Sequence, residues 1–331
     1  MRQMWVWMLL MALAFVNERC HCCLEEERIS LLEIKAWFNH AGAAGSYKLE
    51  GWDNEHFNCC NWDRVVCDNT TNRVIELRLS GVNFDLHNAV EDLDLNASLF
   101  LPFKELEILD LSFNQLVGGL KNQVSGTFSL ASSFMWFDIS NNLLSGMLPR
   151  LRGIGNSSLN SLRGIGNSSL NSLQGIDLSR NQFEGTIPIE YFNSSGLEFL
   201  DLSENNLSGS LPLGFLAPYL RYVHLYGNRL SGPLPYAFCN LSSLMTFDLG
   251  DNNLTGPIPN WIDSLSKLSI FVLKSNQFNG KLPYQLCLLR NLSILDLSEN
   301  NFSGPLPSCL SNLDFTAWDE NVGGRNHWWW L

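Results

Sequence analysis

The sequence predicts an α/β fold: a right-handed solenoid with one parallel sheet on its concave face and an N-terminal helix and hairpin as a cap. Three observations predict this fold. A pattern, LxxLxLxxNxLxGxLP, recurs along the chain, its Asn returns every 23 or 24 residues over the second half, and a cysteine-rich segment precedes the first copy. The clearest copies open at Leu197, Leu220, Leu244, Leu268 and Leu292. A fixed period of this length is the signature of stacked repeats.

Composition and the first residues bound the class of protein. The 331 residues are 45% hydrophobic and carry a net charge of −12, which argues against a disordered chain and against a nucleic-acid partner. Residues 1–22 read as a signal peptide, because Arg2 precedes an apolar run from Trp5 to Val16 that is too short to span a bilayer comfortably. We therefore expect the secretory pathway, an extracellular or apoplastic location and no membrane span in this chain.

Residues 23–72 form the predicted cap. Glu25 to Asn39 reads as an amphipathic helix with Ile29, Leu32 and Ala36 on one face, able to cover the open end of the solenoid. The nine cysteines of the chain would meet an oxidising compartment, so disulfides are favoured over a zinc site, and no paired C-x-x-C spacing is present. We predict no metal.

Residues 73–318 hold about nine repeats, with a degenerate first copy at Val74. In each copy the alternating LxL segment predicts a short strand whose leucines enter the core. The template Asn is expected to face inward and to satisfy backbone groups, while Gly and Pro end the segment and start the return path. Residues 151–172 are an eleven-residue tandem duplication on the return side, and residues 319–331 an irregular end.

Two sets of motifs carry a family resemblance. The segments Cys23 to Arg28, Leu31 to Ala36 and Cys59 to Cys67, together with the LxGxIP or LxGxLP ending of the repeats, resemble plant leucine-rich-repeat receptor-like proteins. The resemblance covers residues 23 to about 318. It implies Cys23–Cys59 and Cys60–Cys67 disulfides. Family members carry further repeats and one membrane span, so it also implies a truncated chain whose full-length form lies in the plasma membrane.

The resemblance implies an extracellular recognition module in defence or developmental signalling. It would bind a peptide, protein or cell-wall-derived ligand and signal through a receptor kinase co-receptor. The alternative is a secreted inhibitor of a cell-wall-degrading enzyme, similar to plant polygalacturonase inhibitors. We expect no enzyme activity and no cofactor, because the chain contains no G-x-S-x-G, G-x-x-x-x-G-K-[ST], G-x-G-x-x-G or H-E-x-x-H motif.

The candidate ligand-binding residues are those that depart from the template on the concave face. Most copies place Asp between the two strand leucines, which we interpret as scaffold. The repeat at Leu220 has His224 there instead, flanked by tyrosines. Aromatic residues and Arg dominate interface energetics, so we predict a ligand centred on this coil. The predicted contacts are Trp136, Phe199, Arg221, Tyr222, His224, Tyr226, Val272 and Lys274.

Two further residue types have predicted surface roles. Ten N-x-S/T sequons are expected glycosylation sites: Asn69, Asn96, Asn156, Asn167, Asn193, Asn206, Asn240, Asn253, Asn291 and Asn301. The remaining cysteines on the return side, Cys239, Cys287 and Cys309, are interpreted as small buried hydrophobes, with pairing between coils as the alternative.

Overall fold

The computed structural model describes residues 23–40, 48–84, 93–119, 127–130, 133–148, 150–153, 172–192, 194–214 and 217–312. The predicted signal peptide at 1–22, the irregular end at 319–331 and most of the tandem duplication lie outside the described residues. Those described stack as coils of a solenoid, with one short strand per repeat on each of two sides.

The larger sheet contains the LxL segment of every repeat. Its ten strands, in spatial order, are β1 (Val65–Cys67), β2 (Val74–Arg78), β4 (Ile108–Asp110), β7 (Trp136–Asp138), β10 (Gly175–Asp177), β12 (Phe199–Asp201), β14 (Tyr222–His224), β16 (Thr246–Asp248), β18 (Ile270–Val272) and β20 (Ile294–Asp296). Only the β1–β2 pair in the cap is antiparallel. The other strands are parallel, and Tyr222 lies opposite both Phe199 and Thr246. Equivalent template positions therefore form columns along the solenoid.

A second sheet, which the sequence analysis did not predict, lies where each coil leaves the Asn turn. Its seven strands are β8 (Ser145–Met147), β11 (Gln182–Gly185), β13 (Asn206–Ser210), β15 (Arg229–Gly232), β17 (Asn253–Gly256), β19 (Gln277–Gly280) and β21 (Asn301–Phe302). The template Gly adopts positive φ here, 84° at Gly232 and at Gly256, a conformation that side chains other than Gly rarely accept. Two short pairs complete the strands: β3 (Leu93–Asp94) with β5 (Leu116–Val117), and β6 (Thr127–Leu130) with β9 (Arg150–Gly153).

The return path is built from short 3₁₀ helices that start directly after the template Pro. Tyr236–Asn240, Asn260–Ser264 and Tyr284–Leu288 each follow a Pro in extended conformation. Between the return path and the large sheet, the template leucines and phenylalanines form a continuous core. A core shared by neighbouring coils stabilises them only as a stack.

An Asn ladder runs through the core, as predicted. At Asn252, Oδ1 accepts a hydrogen bond from the Leu230 amide at 2.9 Å, and Nδ2 donates to the carbonyl oxygens of Leu225 and Gly250, each at 2.9 Å. Each Asn thus satisfies backbone groups of its own coil and of the preceding coil, where an unpaired group would cost about 1–3 kcal/mol. The ladder comprises Asn114, Asn142, Asn181, Asn205, Asn228, Asn252, Asn276 and Asn300.

The cap helix α1 (Glu25–His40) covers the first coil with a different face from the predicted one. Of the predicted face, Ile29 is 47% exposed and Ala36 is exposed, and only Leu32 packs, partly buried, against the core. Leu31, Ile34 and Phe38 are fully buried. The prediction was wrong because the three-four spacing fits both sets of residues, and only docking on the solenoid selects one. The structure has the Cys23–Cys59 and Cys60–Cys67 disulfides that the resemblance implies.

A buried carboxylate fixes the same helix to the first repeat. Glu27 is fully buried, accepts a hydrogen bond from the Val74 amide at 3.0 Å and pairs with Arg73 Nε at 3.2 Å. A side chain of the cap helix therefore holds the first residue of β2 in place.

Two cysteines of the return side are paired, contrary to the preferred interpretation. Cys287 and Cys309 form a disulfide between consecutive coils, with their Cα atoms 5.7 Å apart. Cys287 follows its template Pro by four residues and Cys309 by two, on 3₁₀ helices that the stacking of coils brings side by side. Cys239 is a free, half-buried cysteine.

Candidate ligand-binding face

Three aromatic side chains of the large sheet meet across four strands. The rings of Trp136 and Phe199 stack with centroids 5.3 Å apart, although the strand containing Gly175 lies between theirs. A Cβ atom at Gly175 would lie 2.1 Å from Cε3 of Trp136, so the indole covers this glycine. The Tyr222 ring follows, 6.2 Å from Phe199. We name Trp136, Phe199 and Tyr222 the aromatic strip.

The aromatic strip presents ring edges. Trp136 and Phe199 are stacked with an interplanar angle of 29°, so their faces are turned toward each other. All three side chains are partly exposed. The same column continues through Thr246 and Ile270, so it stays free of charge.

The residue at the centre of the predicted site is not accessible. His224 is only 3% exposed, with its ring edge-on to Phe199 at 5.6 Å and its Nδ1 3.3 Å from Oδ2 of Asp201. The prediction placed His224 outward, as strand alternation requires, but larger neighbours on the same face cover it. It supports Phe199 and is not a contact surface.

The column of aspartates is part of the scaffold, as interpreted from the sequence. In most coils the Asp Oδ1 accepts hydrogen bonds from the amide and hydroxyl of the Ser two residues later, as Asp201 does from Ser203 at 2.8 and 2.6 Å. Each Asp thereby fixes the turn that leads into the template Asn. The carboxylates crowd one another, because adjacent strands lie about 4.8 Å apart.

Crowding and burial change the titration of this column. Burial, reinforced by the charge of Asp110, raises the pKa of Asp138 to about 6. Burial and the charges of Asp201 and Asp138 raise the pKa of Asp177 well above its ordinary value. Burial also raises the pKa of Asp248. On this face, Asp138 therefore takes up a proton near pH 6, and Asp177 and Asp248 hold their protons more tightly than exposed carboxylates do.

A second aromatic position lies beside the strip. Tyr226 is 38% exposed, and a Cβ atom at Gly250 would lie 3.2 Å from its Cδ2 and 3.4 Å from Cγ1 of Val272. The Tyr226 ring therefore lies over Gly250, next to Val272. The charge of Asp251, in the next coil, is the largest cause of the raised pKa of Tyr226.

The predicted basic residues lie at the margin of this face in ion pairs. Arg221 Nε is 3.4 Å from Glu198, and Lys274 Nζ is 3.8 Å from Glu299. Asp251, beside the template Asn, was not among the predicted contacts, because the predicted set was drawn from the strand positions. Its φ of +47° is a turn conformation, and its charge raises the pKa of Tyr226.

The described sequon residues are all exposed, as glycosylation requires: Asn69, Asn96, Asn206, Asn240, Asn253, Asn291 and Asn301. Asn156, Asn167 and Asn193 lie outside the described residues. Glycosylation at all ten stays a prediction.

Family models match the cap and the repeats separately. A model described as a leucine-rich-repeat N-terminal domain matches residues 24–68, and leucine-rich-repeat models match residues 172–194, 196–217, 218–278 and 291–313. Receptor-like protein 9b of Arabidopsis thaliana is 34% identical over 198 residues, which is 55% of this chain and 20% of that protein. Cuscuta receptor 1 of Solanum lycopersicum is 41% identical over 102 residues, which is 30% of this chain and 9% of that protein.

The chain belongs to the leucine-rich-repeat proteins, and its curated relatives are plant receptor-like proteins. It spans a fifth or less of the length of these curated relatives. Among solved structures, it is similar to the ectodomain of the Arabidopsis thaliana receptor kinase GASSHO1/SCHENGEN3 in complex with CASPARIAN STRIP INTEGRITY FACTOR 2. The TM-score is 0.69 at 29% identity, over 86% of this chain and 31% of that one. Within the part of this leucine-rich-repeat chain that the structure describes, no helix has both the length and the apolar character needed to cross a membrane.

Proposed function

We propose that this leucine-rich-repeat protein is an extracellular recognition module that binds an extended peptide on the concave face of its large sheet. The observation that carries the proposal is the aromatic strip. Trp136, Phe199 and Tyr222 are partly exposed and differ from the residues at the same strand position in neighbouring coils. Packing of the core does not determine which residues occupy this position. Exposed aromatic clusters of this kind supply most of the binding energy at interfaces.

The geometry favours a peptide over a cell-wall oligosaccharide. A sugar ring binds an aromatic ring through its open face, but Trp136 and Phe199 turn their faces to each other. The edges of stacked rings form a narrow apolar surface along the solenoid axis. An extended peptide that crosses this surface parallel to the strands can place one of its outward side chains on it. The similar receptor-kinase ectodomain was solved in complex with a named factor, which supports the same class of ligand.

We further propose that the ligand-bound module signals through a receptor kinase co-receptor at the plasma membrane, in defence or development. The curated relatives are named as receptor-like proteins and as a receptor, which supports a signalling role over enzyme inhibition.

Selection from a random linear dodecapeptide library on the secreted full chain tests the proposal. Selected peptides should lose at least tenfold in affinity for the Phe199→Ala/Tyr222→Ala variant, as two interface aromatics predict. They should bind Tyr236→Ala/Tyr284→Ala normally, because these exposed tyrosines lie on the return side. Peptides that bind both double variants equally would contradict the proposed face. Inhibition of a fungal polygalacturonase by the chain would favour the inhibitor function instead.

A further inference from the structure

Departures from the repeat converge beside the aromatic strip. The position after the second strand leucine is Ser in most coils, but it is Tyr226, Gly250 and Lys274 in three consecutive coils. In the last of these, Val272 replaces the usual Asp. The absence of a side chain at Gly250 makes room for the Tyr226 ring: Cδ2 of Tyr226, Oδ1 of Asp248 and Cγ1 of Val272 lie 3.2, 3.3 and 3.4 Å from the position that a Cβ atom would take there. The result is a partly exposed ring with an aliphatic neighbour and carboxylates around it.

The surroundings of this ring are negative. Glu204 and Asp251 lie in the coils on either side of Tyr226: the Glu204 amide donates to the Tyr226 carbonyl oxygen at 2.7 Å, and the Asn228 amide donates to the Asp251 carbonyl oxygen at 3.1 Å. The charges of Asp251, Glu204 and Asp248 all raise the pKa of the Tyr226 phenol. Arg180 lies 2.9 Å from Glu204 and offsets one of these charges. The chain as a whole carries a net charge of −12, so the long-range field also attracts cations. An aromatic ring among carboxylates suits a cationic side chain, which gains from both the ring and the charges.

The distance between the two features defines a spacing in the ligand. Tyr222 and Tyr226 belong to one coil and are four residues apart, about 13 Å in extended backbone. His224 lies between them and is only 3% exposed, so its side chain offers almost no surface to a ligand. In an extended ligand, side chains four residues apart point to the same side and span the same distance.

We propose that this face selects an extended peptide segment that carries an apolar side chain and, four residues away, a Lys or Arg. The apolar side chain packs on Phe199 and Tyr222, and the cation contacts the Tyr226 ring and the Asp251 carboxylate. This inference rests on the proposed function, since it specifies the ligand of the same face.

Defined peptide pools test the spacing and the charge. One pool of dodecapeptides fixes Phe and Arg four positions apart, in both orders, among otherwise random polar residues. Matched pools carry Glu in place of Arg, or place Arg three positions from Phe. Binding of each pool to the secreted full chain is measured by fluorescence anisotropy. The variants are Asp251→Asn, Tyr226→Leu and Phe199→Ala/Tyr222→Ala. Glu299→Gln, at the template position of Asp251 but two coils away, is the control.

The four-position Arg pool should bind tighter than both matched pools. Asp251→Asn should weaken it about threefold, as an exposed ion pair predicts, and Tyr226→Leu by a similar factor through the lost cation–π contact. Glu299→Gln should leave it unchanged. If all pools bind equally but still require Phe199, the charge and spacing rule is wrong while the proposed function stands. If no pool shows binding that depends on Phe199, both proposals are wrong.

Discussion

The Trp136 indole reaches across a neighbouring coil to stack on the ring of Phe199, with centroids 5.3 Å apart. Their strands are two coils apart, a separation of about 9.6 Å. A side chain on the intervening strand would keep the two rings from touching. Gly175 lies between them and provides the gap.

Gly175→Ala should therefore break this stack without unfolding the chain. The new Cβ would lie 2.1 Å from Cε3 and Cζ3 of Trp136, so the partly exposed indole must rotate away. We expect a changed near-ultraviolet circular dichroism spectrum, an unchanged far-ultraviolet spectrum and a stability loss of about 1 kcal/mol. Gly51→Ala is the control, because no atom lies within 4 Å of its Cβ position. Identical near-ultraviolet spectra for the Gly175 variant and the parent would contradict the stack.

The aspartate column predicts greater stability in mild acid than at neutral pH. The pKa of Asp138 is about 6 in the folded chain, above its value of about 3.9 in an unfolded chain. A raised carboxyl pKa means that the folded state binds the proton more tightly. Its contribution is complete below about pH 4 and is lost as the pH rises through about 6, on the order of 3 kcal/mol in total. The raised pKa of Asp177 acts in the same direction.

Urea unfolding of the parent and of Asp138→Asn, followed from about pH 4 to 7.5, measures this effect. The Asn retains an oxygen that can accept the Ser140 amide, so the variant should fold and show a flatter pH dependence. Asp296→Asn is the matched control, because Asp296 holds the same template position but has a lowered pKa. An equal flattening in both variants would show that the crowded part of the column is not the cause.

The Asn ladder predicts a large loss of stability for alanine at one Asn and a small loss for alanine at the adjacent Asn. Asn252→Ala removes the acceptor of the Leu230 amide and one of the two donors to each of the Leu225 and Gly250 carbonyl oxygens, so we expect a loss of about 2–4 kcal/mol in the free energy of unfolding. Asn253→Ala changes an exposed side chain next to it and should cost less than about 0.5 kcal/mol. Chemical denaturation measures the free energy of unfolding of both variants. Similar losses in the two would show that the Asn ladder does not contribute the expected stability.

The disulfide between the last two described coils predicts a specific pattern of thiol reactivity. Non-reducing peptide mapping should recover Cys287 linked to Cys309, while Cys239 reacts with a thiol reagent. Cys309→Ser should lower stability by about 3 kcal/mol, because the bond closes a loop of 22 residues. The comparison is Cys239→Ser, which breaks no bond. Recovery of alkylated Cys287 and Cys309 from the oxidised protein would contradict the pairing.

The sequence determined the repeating part of this protein. Its period placed the strands, its Leu and Asn letters specified the core and the ladder, and its cap motifs implied two disulfides. Each of these depends on local spacing that every coil repeats. Tertiary stacking decided the rest. Docking selected the face of α1, the neighbouring side chains buried His224, and stacking of coils paired Cys287 with Cys309. The aromatic strip depends on Gly175, a residue with no side chain whose role appears only when two coils lie on either side of it. Contacts between coils join residues more than twenty positions apart. The periodic pattern identifies the fold, but it is the same whichever of those contacts form, so it does not predict them.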